Sequence, residues 1–265
     1  MFGDTVNAAV LKDLRDRRST APEFTYVHYI DVHGPWEGAP FAASYDAAAR
    51  FVDERVAELY AFFSERYDGD LLFVVTADHG VGLEDDERLG LGLPWRTSKL
   101  SPFDFNLRVP FLVLPGRRVP RGRTVGIPCS NVDFVPTALD WLGLPGAHAL
   151  PGLSLLPAIR ADVPLGDDRP VYARVSAFQR RADCVVSSGR KYVRFFDPES
   201  EREIARHVFE PARDPRETTS LGSEFGDVDA VLQRLAGTHG RVYPARFDDV
   251  RSDIRERLRA LGYLQ

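Results

Sequence analysis

Lysine is scarce in this chain of 265 residues. Only Lys12, Lys99 and Lys191 stand among 34 basic residues; the rest are arginine. Cysteine is scarcer still. Cys129 and Cys184 are too few for a disulfide framework or a cysteine-based zinc site. Both have apolar neighbours, so both are expected to be buried free thiols. No apolar run approaches the ~18 residues that a bilayer-spanning helix needs. The opening MFGDTVNAAVLKDL mixes acids and bases on an amphipathic pattern, unlike an export signal. With neither signal nor span, the default expectation is cytoplasmic. A basic excess is missing too: the net charge is −5, which argues against non-specific binding to nucleic acid. No internal repeat or low-complexity tract is found.

What is present fits a globular protein, with 44% hydrophobic and 28% charged residues. Thr5–Arg17 reads as a helix from the spacing of Val6, Val10, Leu11 and Leu14. Phe24–Ile30 (FTYVHYI) is aromatic and β-branched, hence a strand, and the Gly- and Pro-rich DVHGPWEGAP after it is a loop. Tyr45–Tyr67 reads as a long amphipathic helix. Asp70–Thr76 and Val109–Leu114 are unbroken apolar runs, which suit strands covered on both faces in a parallel sheet. Ser130–Gly143 reads as a helix, with Ser130 or Asn131 as its cap. Beyond Pro151–Pro170 come short strands at 171–175, 184–187, 192–196 and 204–209, then helices at 227–235 and 249–261. The expected fold is α/β: a mostly parallel sheet sandwiched by helices over 1–160, and a smaller α+β subdomain with antiparallel strands over 161–265.

Two strand ends carry polar residues, where ligands gather in open α/β sheets. The first presents Asp31 and His33. The second, LLFVVTADHG, presents Asp78 and His79 before Gly80, which lets the backbone turn away. Carboxylate plus imidazole suits a divalent cation. Two plainer readings remain open: Asp78 as a helix cap, and His33 as a loop histidine bonded to backbone. Asp31 is expected to orient His33 or its loop.

In their order and spacing these motifs resemble the sulfatases of the alkaline-phosphatase-like superfamily. FTYVHYIDVHGPW resembles the family's histidine-bearing strand and loop, and VVTADHG its metal-binding strand end. TSKLSPFDFNLRVPFLVLPG is similar to the lysine loop and the strand after it. SNVDFVPTALDWLGLPG and LPGLSLLPAI resemble the segments that follow. GRKYVRFF, EPARDPRETTSL and the closing LRALGYL resemble parts of the C-terminal subdomain.

The resemblance implies roles. Asp78 and His79 would bind a divalent metal: calcium in a sulfatase, manganese or zinc in a phosphoester relative. His33 and Lys99 would contact the sulfuryl or phosphoryl oxygens, with His33 protonating the leaving oxygen. It also implies a nucleophile in C-x-P-x-R or a serine version, converted in sulfatases to formylglycine. Neither Cys129 nor Cys184 lies in that motif. The family's first strand, with further acidic ligands, has no counterpart here either, and Leu100 stands where many relatives place histidine.

The chain is therefore expected to match the C-terminal portion of a sulfatase-like hydrolase and to be inactive alone. It would act on a sulfate- or phosphate-ester substrate, with a separate chain as one source of the N-terminal half. The alternatives are a phosphodiester or phosphonate hydrolase, a phosphoethanolamine transferase relative, or a non-catalytic binding or assembly module. Strand edges without neighbours are expected to favour aggregation or a partner.

Overall fold

A computed structural model describes residues 2–15, 21–34, 36–82, 101–160, 169–177, 180–197 and 199–239. The described residues form two compact units. One runs to Val171; the other runs from Tyr172 and includes Ser101 and Pro102.

In the first unit, α1 (Gly3–Arg15) and α2 (Tyr45–Arg66) follow the helical spacing of their apolar residues closely. Ser44 caps α2 by accepting from the Ala47 amide at 3.2 Å. The helices meet over Leu14, Leu59 and Phe63, with Val27, Tyr29, Leu71 and Phe73 packed against them. Strands β1 (Val74–Thr76) and β2 (Phe111–Val113) are shorter than the apolar runs that contain them. A four-residue helix, α3 (Asp104–Leu107), precedes β2. A 3-10 turn at Asn131–Asp133 leads into α4 (Phe134–Trp141), and α5 (Leu156–Arg160) follows. Trp141, Leu155, Leu156, Ile159 and Val119 form the second core of this unit.

Two expectations need correction. The β1–β2 ladder is antiparallel, pairing Val74 with Val113 and Thr76 with Phe111, where a parallel sheet was expected. An unbroken apolar run reports cover on both faces; it does not encode strand direction. Phe24–Ile30 forms no ladder among the described residues. Its two-residue alternation is nevertheless kept. Val27 and Tyr29 face the α1–α2 cluster, whereas Phe24 and Tyr26 are 73% and 74% exposed. Side-chain pattern sets which face is buried, but a ladder also requires a second backbone in register.

In the second unit, β3 (Val171–Ala177), β4 (Arg180–Ser187), β5 (Arg190–Phe196) and β6 (Glu203–Phe209) lie in that order. The β4–β5 and β5–β6 ladders are antiparallel. The β4–β5 hairpin turns at Ser188 and Gly189, both at positive φ, as a tight two-residue hairpin requires. Helix α6 (Val228–His239) lays Leu232 onto Val185, Tyr192 and Val208. The expected helix at 249–261 lies outside the described residues. Of the two cysteines, Cys184 is buried, but Cys129, in the loop after Pro128, is exposed rather than buried. No helix among the described residues is long and apolar enough to cross a membrane.

Candidate functional site

The end of β1 is held from two sides. Asn131 donates its amide to the Ala77 carbonyl at 2.8 Å and accepts from the Thr76 hydroxyl at 2.9 Å. That bracing depends on the turn at 130–133, a reciprocal capping box. Asp133 Oδ2 accepts from the Ser130 amide at 2.8 Å, and Asp133, fully buried, also pairs with both terminal nitrogens of Arg169. On the other side, the Gly80 amide donates to the Asn106 carbonyl at 2.7 Å. A Cβ at Gly80 would sit 2.0 Å from the Phe105 carbonyl oxygen. Glycine is thus required here because α3 comes close, a reason beyond the turn that the sequence suggested.

Between these supports lie Asp78 and His79. Asp78 Oδ1 accepts from the His79 amide at 2.9 Å. His79 Nδ1 lies 2.8 Å from the Gly80 carbonyl oxygen. A carbonyl only accepts, so Nδ1 carries the proton and the Nε2 lone pair is left available. Nε2 in turn lies 3.7 Å from Asp78 Oδ2. A ring fixed through Nδ1–H, with Nε2 beside a carboxylate oxygen, is the arrangement that metal-binding histidines use. The donor types therefore fit a divalent cation. No group of three or more potential ligands gathers among the described residues.

His33 stands on the turn at 31–34, and its amide donates to the Ile30 carbonyl at 2.9 Å. Its Nδ1 is likewise 2.8 Å from a carbonyl oxygen, that of Gly34, so Nδ1 carries a proton. Asp31 holds this turn. It is 2% exposed, and its Oδ1 accepts from the Gly3 amide at the start of α1 at 2.8 Å. Its carbonyl accepts from the Trp36 indole at 2.8 Å. Its Oδ2 has no hydrogen-bond partner among the described residues. Nearby, burial and the charges of Glu58 and Asp31 push the Tyr29 hydroxyl up to about 12.

Asp78 and His79 are thus brought into contact with each other, and His33 sits on a separately anchored turn. Lys99 lies outside the described residues. Sequence reading did not single out Asp133 or Thr76. The Ser-x-x-Asp spacing at 130–133 was the signal available for Asp133.

The Sulfatase family model matches residues 4–144, more than half of the chain. Among curated proteins, Arylsulfatase K of Danio rerio is 30% identical over 146 residues, 52% of this chain and 26% of that protein. Steryl-sulfatase of Rattus norvegicus is 25% identical over 264 residues, 87% of this chain and 46% of that protein. The chain thus spans less than half the length of these relatives. Among solved structures, Ps i-CgsB in complex with k-i-k-neocarrahexaose is similar with a TM-score of 0.69 at 19% identity, over 98% of this chain and 59% of that one. The phosphonate monoester hydrolase SpPMH from Silicibacter pomeroyi is similar with a TM-score of 0.52 at 20% identity, over 81% and 40%.

Proposed function

This chain belongs to the sulfatase family, and on that premise we propose that it carries part of a divalent-metal centre for sulfate-ester hydrolysis. Asp78 and His79 hold the ion through a carboxylate oxygen and Nε2. Calcium suits the oxygen-rich sites of sulfatases; manganese or zinc suits a phosphoester relative. When bound, the ion supplies positive charge where the ester oxygens become negative. In its imidazolium form His33 keeps its Nδ1 proton on the Gly34 carbonyl and gives the Nε2 proton to the leaving oxygen. Lys99 supplies a second positive charge to the sulfuryl oxygens. Asp31 acts through position, pinning the His33 turn to α1. The observation that carries this reading is the fixed tautomer of His79, which leaves Nε2 beside the Asp78 carboxylate.

The sequence holds no C-x-P-x-R segment, so no group for the covalent step is found in it. Loss of a nucleophile alone costs about six orders of magnitude in rate. The 265-residue chain is therefore proposed to turn over sulfate esters hardly at all alone, and to need a nucleophile from outside these residues, a separate chain being one source. Two other readings have some support. Similarity to a phosphonate monoester hydrolase favours phosphorus chemistry at the same residues. The missing motif favours a non-catalytic binding or assembly module.

The test is calorimetric titration of the purified chain with calcium, manganese and zinc, run beside an assay with 4-nitrophenyl sulfate and 4-nitrophenyl phosphate. One ion should bind, and Asp78→Asn or His79→Ala should weaken it at least tenfold, while neither ester turns over. If none of the three ions binds, the metal centre is wrong. Robust metal-dependent turnover by the chain alone would refute the missing nucleophile.

A further inference from the structure

The stretch GRRVPRGR, residues 116–123, holds four arginines, and the fold treats them unequally. Gly116 and Val119 exchange backbone hydrogen bonds at 3.2 Å in both directions, so Arg117 and Arg118 form the tip of a tight hairpin. Val119 anchors it in the Trp141 core. Arg118 lies over the Trp141 ring at 3.7 Å and pairs with Asp70 at 2.7 Å. Arg117 pairs with Asp68, and its amide donates to the Gly69 carbonyl at 2.7 Å. Arg121 and Arg123 are exposed and make no ion pair among the described residues.

Beside this hairpin is a cavity of about 340 Å³, lined by Tyr60, Ser64, Asp68, Gly69, Arg117 and Arg121 among others. The hydroxyl of Ser64, a lining residue, is buried with no hydrogen-bond partner among the described residues. The Tyr60 hydroxyl is already committed to the Pro115 carbonyl at 2.5 Å, so its ring serves as an apolar wall. Gly116 lets the hairpin lie close against the 69–71 segment: a Cβ there would stand 2.8 Å from the Gly69 carbonyl oxygen.

The geometry points to a second binding site at this cavity, for a tetrahedral oxyanion, either sulfate or phosphate, free or esterified to a small organic group. Arg121 supplies the unpaired charge and Ser64 an unused donor. Arg117 adds a guanidinium that is already oriented by Asp68. A hairpin held by Val119, Trp141 and Gly69 loses little freedom when a ligand arrives. Gly69 and Asp78 stand at opposite ends of the β1 segment, up to ~30 Å apart for nine extended residues. Neither Asp78 nor His79 lines the cavity, so the proposal does not depend on the metal reading.

The test is nitrogen-15 NMR of the full chain, titrated with inorganic sulfate, inorganic phosphate, glucose 6-sulfate and glucose 6-phosphate. Saturable shifts are expected at the Ser64, Gly69 and Arg117 amides and the Arg121 Nε. Arg121→Ala, a surface change that leaves the core intact, should weaken binding at least tenfold. Arg121→Lys should recover part of it, and Arg190→Ala, exposed in the other unit, should change nothing. Tighter binding of the sugar esters supports the proposal with an esterified ligand, and equal affinities support it with the free ion. If no saturable shift occurs at these residues, or if the shifts persist unchanged in Arg121→Ala, the proposal fails.

Discussion

A neutral histidine has one ring proton, and the group that takes it decides what the other nitrogen can do. For His79 and His33 that group is a backbone carbonyl one residue ahead. The type and spacing of Asp78 and His79 could be read in the sequence, but the tautomer could not, because it depends on how the chain turns after each histidine. At His79 the turn is fixed by Gly80. Gly80→Ala would force a contact with the Phe105 carbonyl, so it should both destabilise the protein and displace His79. Calcium affinity should fall with the urea midpoint. Unchanged affinity would show that the position of His79 does not depend on α3.

Lys191 shows the reverse case. In the sequence it is one of three lysines, and nothing local marks it. In the structure its ammonium is wholly buried, 2.5 Å from Glu217 and 3.3 Å from the Pro102 carbonyl. Glu217 adopts φ 53°, a strained conformation for a non-glycine residue, in a turn where its amide donates to the Asp214 carbonyl at 3.0 Å. Beside it, burial pushes the Cys184 thiol up to about 12, against the opposing charge of Lys191, so that thiol is inert. Lys191→Met removes the ammonium beside a buried carboxylate and should cost about 3–5 kcal/mol in urea unfolding. Lys191→Met with Glu217→Leu should cost much less. If the double variant is as unstable as the single one, lost packing and not unpaired charge is the cause.

At the scale of elements, helices were the most legible part. Each helix carries its hydrogen bonds within itself, so the spacing of apolar residues nearly suffices to place α1, α2 and α4. Strands were read less well in the first unit, because a strand is defined by a neighbour that its own residues do not specify. Phe24–Ile30 retains the strand's alternation but no ladder among the described residues. In the second unit the strands are consecutive, and short turns bring the partners together, so β4, β5 and β6 contain the expected spans.

The outer face of the Phe24 segment is an exposed aromatic pair, with Phe24 lying 6.1 Å from the Phe134 ring. Exposed apolar side chains on a segment without a ladder favour self-association. Phe24→Ser with Tyr26→Ser should shift sedimentation velocity profiles toward the monomer at equal concentration. The thermal midpoint should change little, since neither side chain is in the Leu14–Leu59–Phe63 cluster. An unaltered profile would place association elsewhere.

At the scale of the whole molecule, acid should act in two stages. His207 is half-buried against Phe195 and Phe209, and burial lowers its pKa. Above its ordinary value of about 6.5 both folded and unfolded forms are neutral. As pH falls below that, the unfolded chain binds the proton first, so stability declines until the lowered folded value is passed. Asp183 acts later. Burial alone would raise its pKa, but the bonds and charges of Arg174 and Arg181 outweigh burial and lower it. Its contribution is present above the ordinary carboxylate value of about 4 and is lost as pH falls through the lower folded value. Urea midpoints between pH 7.5 and 3 should show both losses. His207→Phe should remove the first and leave the second. A wild-type midpoint flat from pH 7.5 to 5 would contradict the first.

The sequence by itself determined the helices, the alternation of buried and exposed side chains, the four consecutive strands of the second unit and the family resemblance, because these depend on residues close along the chain or on ordered motifs. Only the tertiary structure decided strand direction at β1–β2, the proton position on His79 and His33, the burial of Lys191 with Glu217, and the joining of Arg121 to Ser64 around one cavity. Each of those is set by atoms from distant segments, and no local pattern of polarity specifies which distant segment will arrive or at what angle.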